Sequence, residues 1–207
     1  MLIERIVMTL VTLARAISLD VFRPRRDASR HVFMDIYVQA WAVLLGVSLT
    51  FYSYFPVLAC GIAAYRVFDI VTYRAYFLLV KSQESPWSPA LLRRSILIVV
   101  VNLAETVMAF ATMYLVIGNV ADSSSGHISN TTDAIYFSLV TMTTVGYGDF
   151  VPRDAFTRML AVCQVSCSLF LLLFIIPALV SLFTSDSESS VQRCDAQAPE
   201  RRDPAKP

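Results

Sequence analysis

Between Thr141 and Phe150 the chain reads T-M-T-T-V-G-Y-G-D-F. Gly146 and Gly148 alternate with Val145 and Tyr147, so every second residue can take backbone angles that a side chain resists. A strand alternating in this way turns successive carbonyl oxygens toward one axis. Four copies around that axis would make stacked rings of oxygens, and such rings replace the water around a desolvated cation. The hydroxyl of Thr144 would add a ring at the inner end. A glycine-rich turn between two helices is the plain alternative, and the flanking sequence decides against it.

Those flanks are what must position the ten residues. Ala134–Met142 is apolar and too short to cross a bilayer, so it reads as a re-entrant helix with Thr141, Met142 and Thr143 at its inner end. Thr131 or Thr132 would cap it, with Asp133 in the first turn. The partial negative charge at its C-terminal end would favour a cation nearby. Chain that returns as non-helical backbone at membrane depth is tolerated only where it is buried or lines water. A span over Ser95–Gly118, carrying Asn102 and Glu105 on one face, precedes this unit, and a span over Phe156–Phe183 follows it.

Composition agrees with a membrane setting. The 207 residues are 56% hydrophobic, with a mean hydropathy of +0.59, and the apolar residues come in long runs. Residues 1–20 place Ile3, Ile6, Val7, Leu10, Ala14 and Ile17 at helical spacing, which suits a helix on a membrane surface. A signal peptide is the rival reading, but Arg23, Arg25, Arg26 and Arg30 beside the next apolar run favour the cytoplasm. Val32–Phe55 reads as the first span, with Trp41, Tyr52, Tyr54 and Phe55 as interface aromatics. Val57–Val80 reads as a second span or, alternatively, as an interfacial helix, because it carries Arg66, Asp69 and Arg74. Lys81–Arg94 reads as a cytoplasmic loop, so the two runs before it cross together or not at all. Charges at this depth should face protein, and Glu105 is expected to pair with Arg66 or Arg74 while Asp69 holds the other. Cys60, Cys163, Cys167 and Cys194 show neither a disulfide framework nor a metal-ligand pattern.

Ala134–Asp149, A-I-Y-F-S-L-V-T-M-T-T-V-G-Y-G-D, resembles the pore helix and selectivity filter of the potassium-channel superfamily, and residues 95–183 are similar to its two-helix pore module. The resemblance implies that Thr144, Val145, Gly146 and Tyr147 coordinate K+, with Gly148 and Asp149 completing the filter. Some members carry a glutamate at the position of Val140, so Asp149 needs another partner or stays solvated. The aromatic that flanks the filter in many members corresponds to Phe137. Pro177-Ala178-Leu179-Val180-Ser181 resembles the end of the Pro-Val-Pro inner helix of voltage-gated members, with Ile175 at the first proline and Ser168 at the glycine hinge. A bend at Pro177 would place a gate around Ile176–Val180. The front half does not resemble a voltage sensor, since Arg66 and Arg74 stand eight apart with Asp69 between them.

The expected fold is an all-α membrane protein with four transmembrane helices per subunit, a re-entrant pore helix and a filter loop, assembled as a homotetramer. Its expected parts are an N-terminal cytoplasmic segment (1–31), a two-span hairpin and loop (32–94), the pore module (95–183) and a disordered cytoplasmic tail (184–207). The expected function is passive, potassium-selective conduction, and the alternative is a non-conducting or regulatory subunit of other channels. An enzyme is not expected, because no nucleophile–base pair or metal cluster stands in the spans. The expected ligands are the permeant K+ and membrane lipids, with no organic cofactor, nucleic acid or soluble substrate. The expected place is the plasma or inner membrane, with both termini cytoplasmic.

Overall fold

The computed structural model describes Thr9 and residues 27–76, 89–122, 127–128 and 130–173. Apart from Thr9, the N-terminal helix expected over 1–20 lies outside these residues, as do the Pro177 bend with Ile176 and Val180 and the tail. Five helices are described: α1 (Asp27–Thr50), α2 (Pro56–Tyr76), α3 (Pro89–Val116), α4 (Thr131–Met142) and α5 (Ala155–Leu173). Three of them, α2, α3 from Ile96 onward, and α5, are long and apolar enough to cross a membrane, whereas the apolar part of α1 is the shorter Asp35–Thr50. The chain is thus a multi-pass membrane protein.

Several boundaries differ from the sequence reading. The cytoplasmic loop expected over Lys81–Arg94 is helical from Pro89 onward, because proline fits the first turn of a helix, where its missing N–H costs nothing. The aromatic cluster at Tyr52–Phe55 falls in the turn between α1 and α2. The cap of α4 is Asn130, whose side chain accepts from the Asp133 backbone N–H at 2.8 Å, and neither threonine takes that position. The fold is also not purely helical. β1 (Val120–Asp122) and β2 (Phe150–Pro152) form an antiparallel ladder, with Val120 opposite Pro152 and Asp122 opposite Phe150.

The core lies where α1, α2, α3 and α4 meet. Leu45 of α1, Ala63 of α2, Phe110 and Tyr114 of α3 and Phe137 of α4 form one buried cluster, with Ala109 fully enclosed. Lipid tails are as apolar as these side chains, so close van der Waals packing does here what the hydrophobic effect does in water. Gly118 ends α3 under a steric demand: a Cβ there would lie 2.7 Å from the Tyr114 carbonyl oxygen. From that turn the chain enters the ladder. The Arg153 N–H donates to the Asn119 carbonyl at 2.9 Å, and the Asn119 N–H donates to Thr157 Oγ1 at 2.8 Å. The segment that leaves α3 and the segment that enters α5 are thereby clasped beside the loop at 143–149.

Candidate functional site

α4 delivers the chain to the loop through a specific helix ending. Thr143 is the C-cap, and Thr144 takes a left-handed backbone angle (φ 57°). The Thr144 N–H donates to the Thr141 carbonyl, and the Val145 N–H to the Val140 carbonyl, each at 3.1 Å. These paired reversed bonds are the Schellman ending, in which glycine ordinarily holds the left-handed position. Thr143 adds its own hydroxyl, donated to the Leu139 carbonyl at 2.8 Å.

The left-handed angle then recurs at every second residue. Thr144 (57°), Gly146 (58°) and Gly148 (78°) have positive φ, and among the described residues Thr144 is the one non-glycine with this property. A β-branched residue in that region is a strained outlier, at a cost of roughly 1–2 kcal/mol. The glycines expected from the sequence to carry the alternation do carry it, and the structure adds Thr144. No atom lies within 4 Å of where a Cβ on Gly146 or Gly148 would stand, so both are required by backbone angle and not by crowding inside the chain. Residues 143–149 are all exposed, including the apolar Val145 at 52% and Tyr147 at 70%.

Asp149 is not left to solvent. Tyr136, on α4, donates its phenolic proton to Asp149 Oδ2 at 2.7 Å, and Asp149 Oδ1 accepts from the Phe150 N–H at 3.0 Å. The Tyr136 ring meets Phe150 edge-on with centroids 6.0 Å apart. The bond to Asp149 pushes the Tyr136 phenol up to about 12. The flanking aromatic expected at Phe137 is therefore supplied by Tyr136. Phe137 points away, into the core, where its ring packs edge-on against Tyr114 at 4.8 Å.

Behind the loop lies a polar network that the sequence reading missed. Tyr114 of α3 donates to Gln164 Oε1 at 2.8 Å, and Gln164 of α5 donates through Nε2 to both the hydroxyl and the carbonyl of Ser138 at 2.8 Å. Ser138 Oγ in turn donates to the Val107 carbonyl at 2.8 Å. The signal for it was a glutamine in an otherwise apolar run.

Of the charged residues of the front half, Glu105 pairs with Arg66, one of the two partners expected for it. Arg66 donates to Glu105 Oε2 through Nε (3.0 Å) and Nη2 (2.6 Å), and to Asp69 Oδ2 through Nη1 (2.7 Å). One arginine thus serves both carboxylates, where one arginine for each was expected. Tyr37 of α1 donates to the same Asp69 oxygen at 2.9 Å, and the guanidinium lies 5.4 and 5.3 Å from the ring centres of Tyr37 and Trp41. Arg74 is buried near the end of α2, against the ring of Tyr73. Asn102 is buried one turn from Glu105 on α3.

Comparison with known proteins bears on the second half of the chain. Residues 96–185 match the ion-channel family model Ion_trans_2. A two-pore potassium channel of Arabidopsis thaliana is 50% identical over 66 residues, which is 29% of this chain and 18% of that protein. A two pore potassium channel of Oryza sativa is 43% identical over 79 residues, 35% of this chain and 20% of that protein. A second Arabidopsis two-pore potassium channel is 39% identical over 71 residues, 34% of this chain and 25% of that protein. The chain therefore spans a quarter or less of the length of these curated relatives. No solved structure matches at comparable significance. Residues 96–185 are thus similar to an ion-channel region.

Proposed function

We propose that the chain is a subunit of a potassium-selective channel, with Thr144, Val145, Gly146 and Tyr147 as the ion-coordinating residues and Gly148 and Asp149 closing the filter. The observation that carries this reading is the repeat of left-handed backbone at Thr144, Gly146 and Gly148. Alternating hands along an extended strand bring successive carbonyls to one side, which is the arrangement that a dehydrated K+ requires. Potassium in the printed names of the relatives supports the choice of ion.

One such motif stands in these 207 residues, so four copies around an axis complete each ring of oxygens. The exposure of Val145 and Tyr147 fits an assembly that covers them. In that assembly α5 lines the axis, and its exposed Leu169, Leu172 and Leu173 face the cavity or a neighbouring copy. The permeant K+ is the cargo; membrane lipids are the surroundings, in a plasma or inner membrane with both termini cytoplasmic. The Pro177 bend, with Ile176 and Val180, is the proposed gate. The four-span arrangement per subunit, α1 included, belongs to the same proposal.

The test is purified protein in liposomes. K+ and Rb+ flux above Na+ flux, from a particle that is a tetramer in mild detergent, is the expected result. Equal K+ and Na+ flux would overturn the reading. A tetramer that carries no ion by itself would favour the non-conducting subunit.

A further inference from the structure

The loop at 143–149 hangs from the C-terminal half of α4, and α4 is held on two sides by different means. Toward α3 it is held by the Ser138 hydroxyl on the Val107 carbonyl (2.8 Å) and by the Phe137 ring against Tyr114 (4.8 Å). Toward α5, among the described residues, the hydrogen bonds are both made by Gln164 Nε2, to Ser138 Oγ and to the Ser138 carbonyl. Gln164 and Ser138 are fully buried. The orientation of the amide follows from its partners: a flipped Gln164 would set its oxygen against the Ser138 carbonyl, oxygen facing oxygen. The protons therefore run in one direction, from Tyr114 to Gln164, from Gln164 to Ser138, and from Ser138 to the Val107 carbonyl.

Ser138 lies one residue before Leu139, whose carbonyl receives the Thr143 N–H (2.9 Å) and the Thr143 hydroxyl (2.8 Å), and Thr143 leads directly into the left-handed Thr144. A shift of α5 thus reaches the Schellman turn through a single side chain and one turn of helix. We propose that Gln164 is a positioning residue for ion selection. It fixes α4 against α5, so that the backbone at 144–148 holds the ring diameter that K+ needs only while α5 stands in this place. The inference rests on the channel reading given above, and it assigns to Gln164 and Ser138 a role that neither the filter sequence nor the family match contains.

The experiment compares K+ and Na+ flux in liposomes for the unaltered tetramer and four variants. Gln164→Leu preserves the volume and the apolar contacts but removes both donated bonds. It should still form tetramers, with a K+/Na+ flux ratio about tenfold lower, the equivalent of two ordinary hydrogen bonds lost from the better-fitting state. Ser138→Ala, which deletes one oxygen atom and leaves the carbonyl, should lower the ratio about threefold. Ser138→Thr keeps the hydroxyl and should stay within about twofold of the unaltered protein, and so should Tyr114→Phe, which leaves both bonds from Gln164 to Ser138 in place. A general loss of packing would lower tetramer yield and total flux together and would not sort the variants in this order. A Gln164→Leu tetramer with an unchanged ratio would overturn the proposal. Should that variant fail to assemble, an unchanged ratio in Ser138→Ala does so instead. Absence of K+ preference in the unaltered protein is a separate outcome, which overturns the channel reading and this inference with it.

Discussion

Tyr136 and Asp149, thirteen residues apart, are joined by a 2.7 Å hydrogen bond that runs behind the candidate filter. The bond ties the outer end of the loop to the helix that starts it, so the loop is closed at both ends: by the Schellman turn at Thr144 and by this phenol. Tyr136→Phe removes the hydroxyl and keeps the ring against Phe150. The variant should assemble normally and conduct, but its K+ flux should run down faster as external K+ is lowered, because an emptied filter then has less to hold it open. The phenol, pushed up to about 12, keeps its proton through neutral pH, so the bond persists until the pH rises toward that value. Rundown in the unaltered protein should therefore be independent of pH between roughly 7 and 10. Identical rundown in the two proteins would show that the bond has no part in keeping the filter open.

Thr144 occupies a backbone position that glycine would fill with less strain. Thr144→Gly should therefore strengthen the end of α4 by roughly 1 kcal/mol while abolishing selective K+ flux, because the hydroxyl ring at the inner end is lost. Thr144→Ser, which keeps the hydroxyl, should retain much of the flux. Gly146→Ala makes the opposite change, adding a Cβ at φ 58°. It should eliminate selective flux with helix content unaltered by circular dichroism. Gly46→Ala, in the helical α1 with no atom within 4 Å of the added Cβ, is the matched control and should leave flux unchanged. Selective flux through Thr144→Gly equal to that of the unaltered protein would leave the threonine no role beyond the helix ending.

What the sequence revealed and what it hid divide along physical lines. The alternation at Gly146 and Gly148 is local, written in residue type, and it appears where expected. Thr144 was hidden as a third left-handed position because threonine rarely adopts that angle; only the turn at the end of α4 imposes it. Tyr136 and Phe137 are adjacent residues about 100° apart around a helix, so which of them faces Asp149 depends on the rotation of α4, which packing sets. Gln164, Ser138 and Tyr114 come from three helices, and no spacing within one helix predicts that they meet. Arg66 and Glu105 were partly legible, because depth in the membrane can be counted from the sequence. That one guanidinium would take both carboxylates was not, since that depends on how α2 and α3 cross. The ladder at Val120–Asp122 is too short to leave an alternating pattern.

The clasp beside the candidate filter carries its own pH dependence. Asp154 Oδ1 accepts from the Thr157 N–H at 2.6 Å at the start of α5, and that bond holds the Asp154 carboxyl below the usual carboxylate range. A group lowered in the folded state stabilises it above the ordinary aspartate value, and the stabilisation is lost as pH falls through the lowered one. Asp154→Asn keeps an N-cap but not the charge. Thermal melts should show the unaltered protein above this variant at pH 6, with the gap closing as pH falls below the ordinary aspartate value. A constant gap across that range would place the effect in packing and not in the carboxylate.

Arg66 uses three N–H groups on two carboxylates, and Tyr37 and Trp41 cover its guanidinium from α1, so a single side chain joins all three front helices. Its side chain is 3% exposed and that of Glu105 is fully buried. Removing one partner of such a pair leaves a charge where neither water nor lipid can solvate it, and the cost is about 3–5 kcal/mol. Arg66→Leu should accordingly collapse tetramer yield. Arg66→Lys should fail nearly as badly, because an ammonium cannot span both carboxylates with the fixed fork of a guanidinium. Glu105→Gln should be milder, since Asp69 still balances the arginine. Glu105→Arg sets two guanidinium groups face to face and should be the most damaging single change. Arg66→Glu in the same chain should then recover part of the yield, with the new arginine on α3 drawn to Glu at 66 and to Asp69. Recovery by the double variant, measured as tetramer fraction by size-exclusion chromatography in mild detergent, is the expected outcome. Equal damage in single and double variants, with Arg66→Lys fully tolerated, would mean that the front helices are held by packing and not by this network.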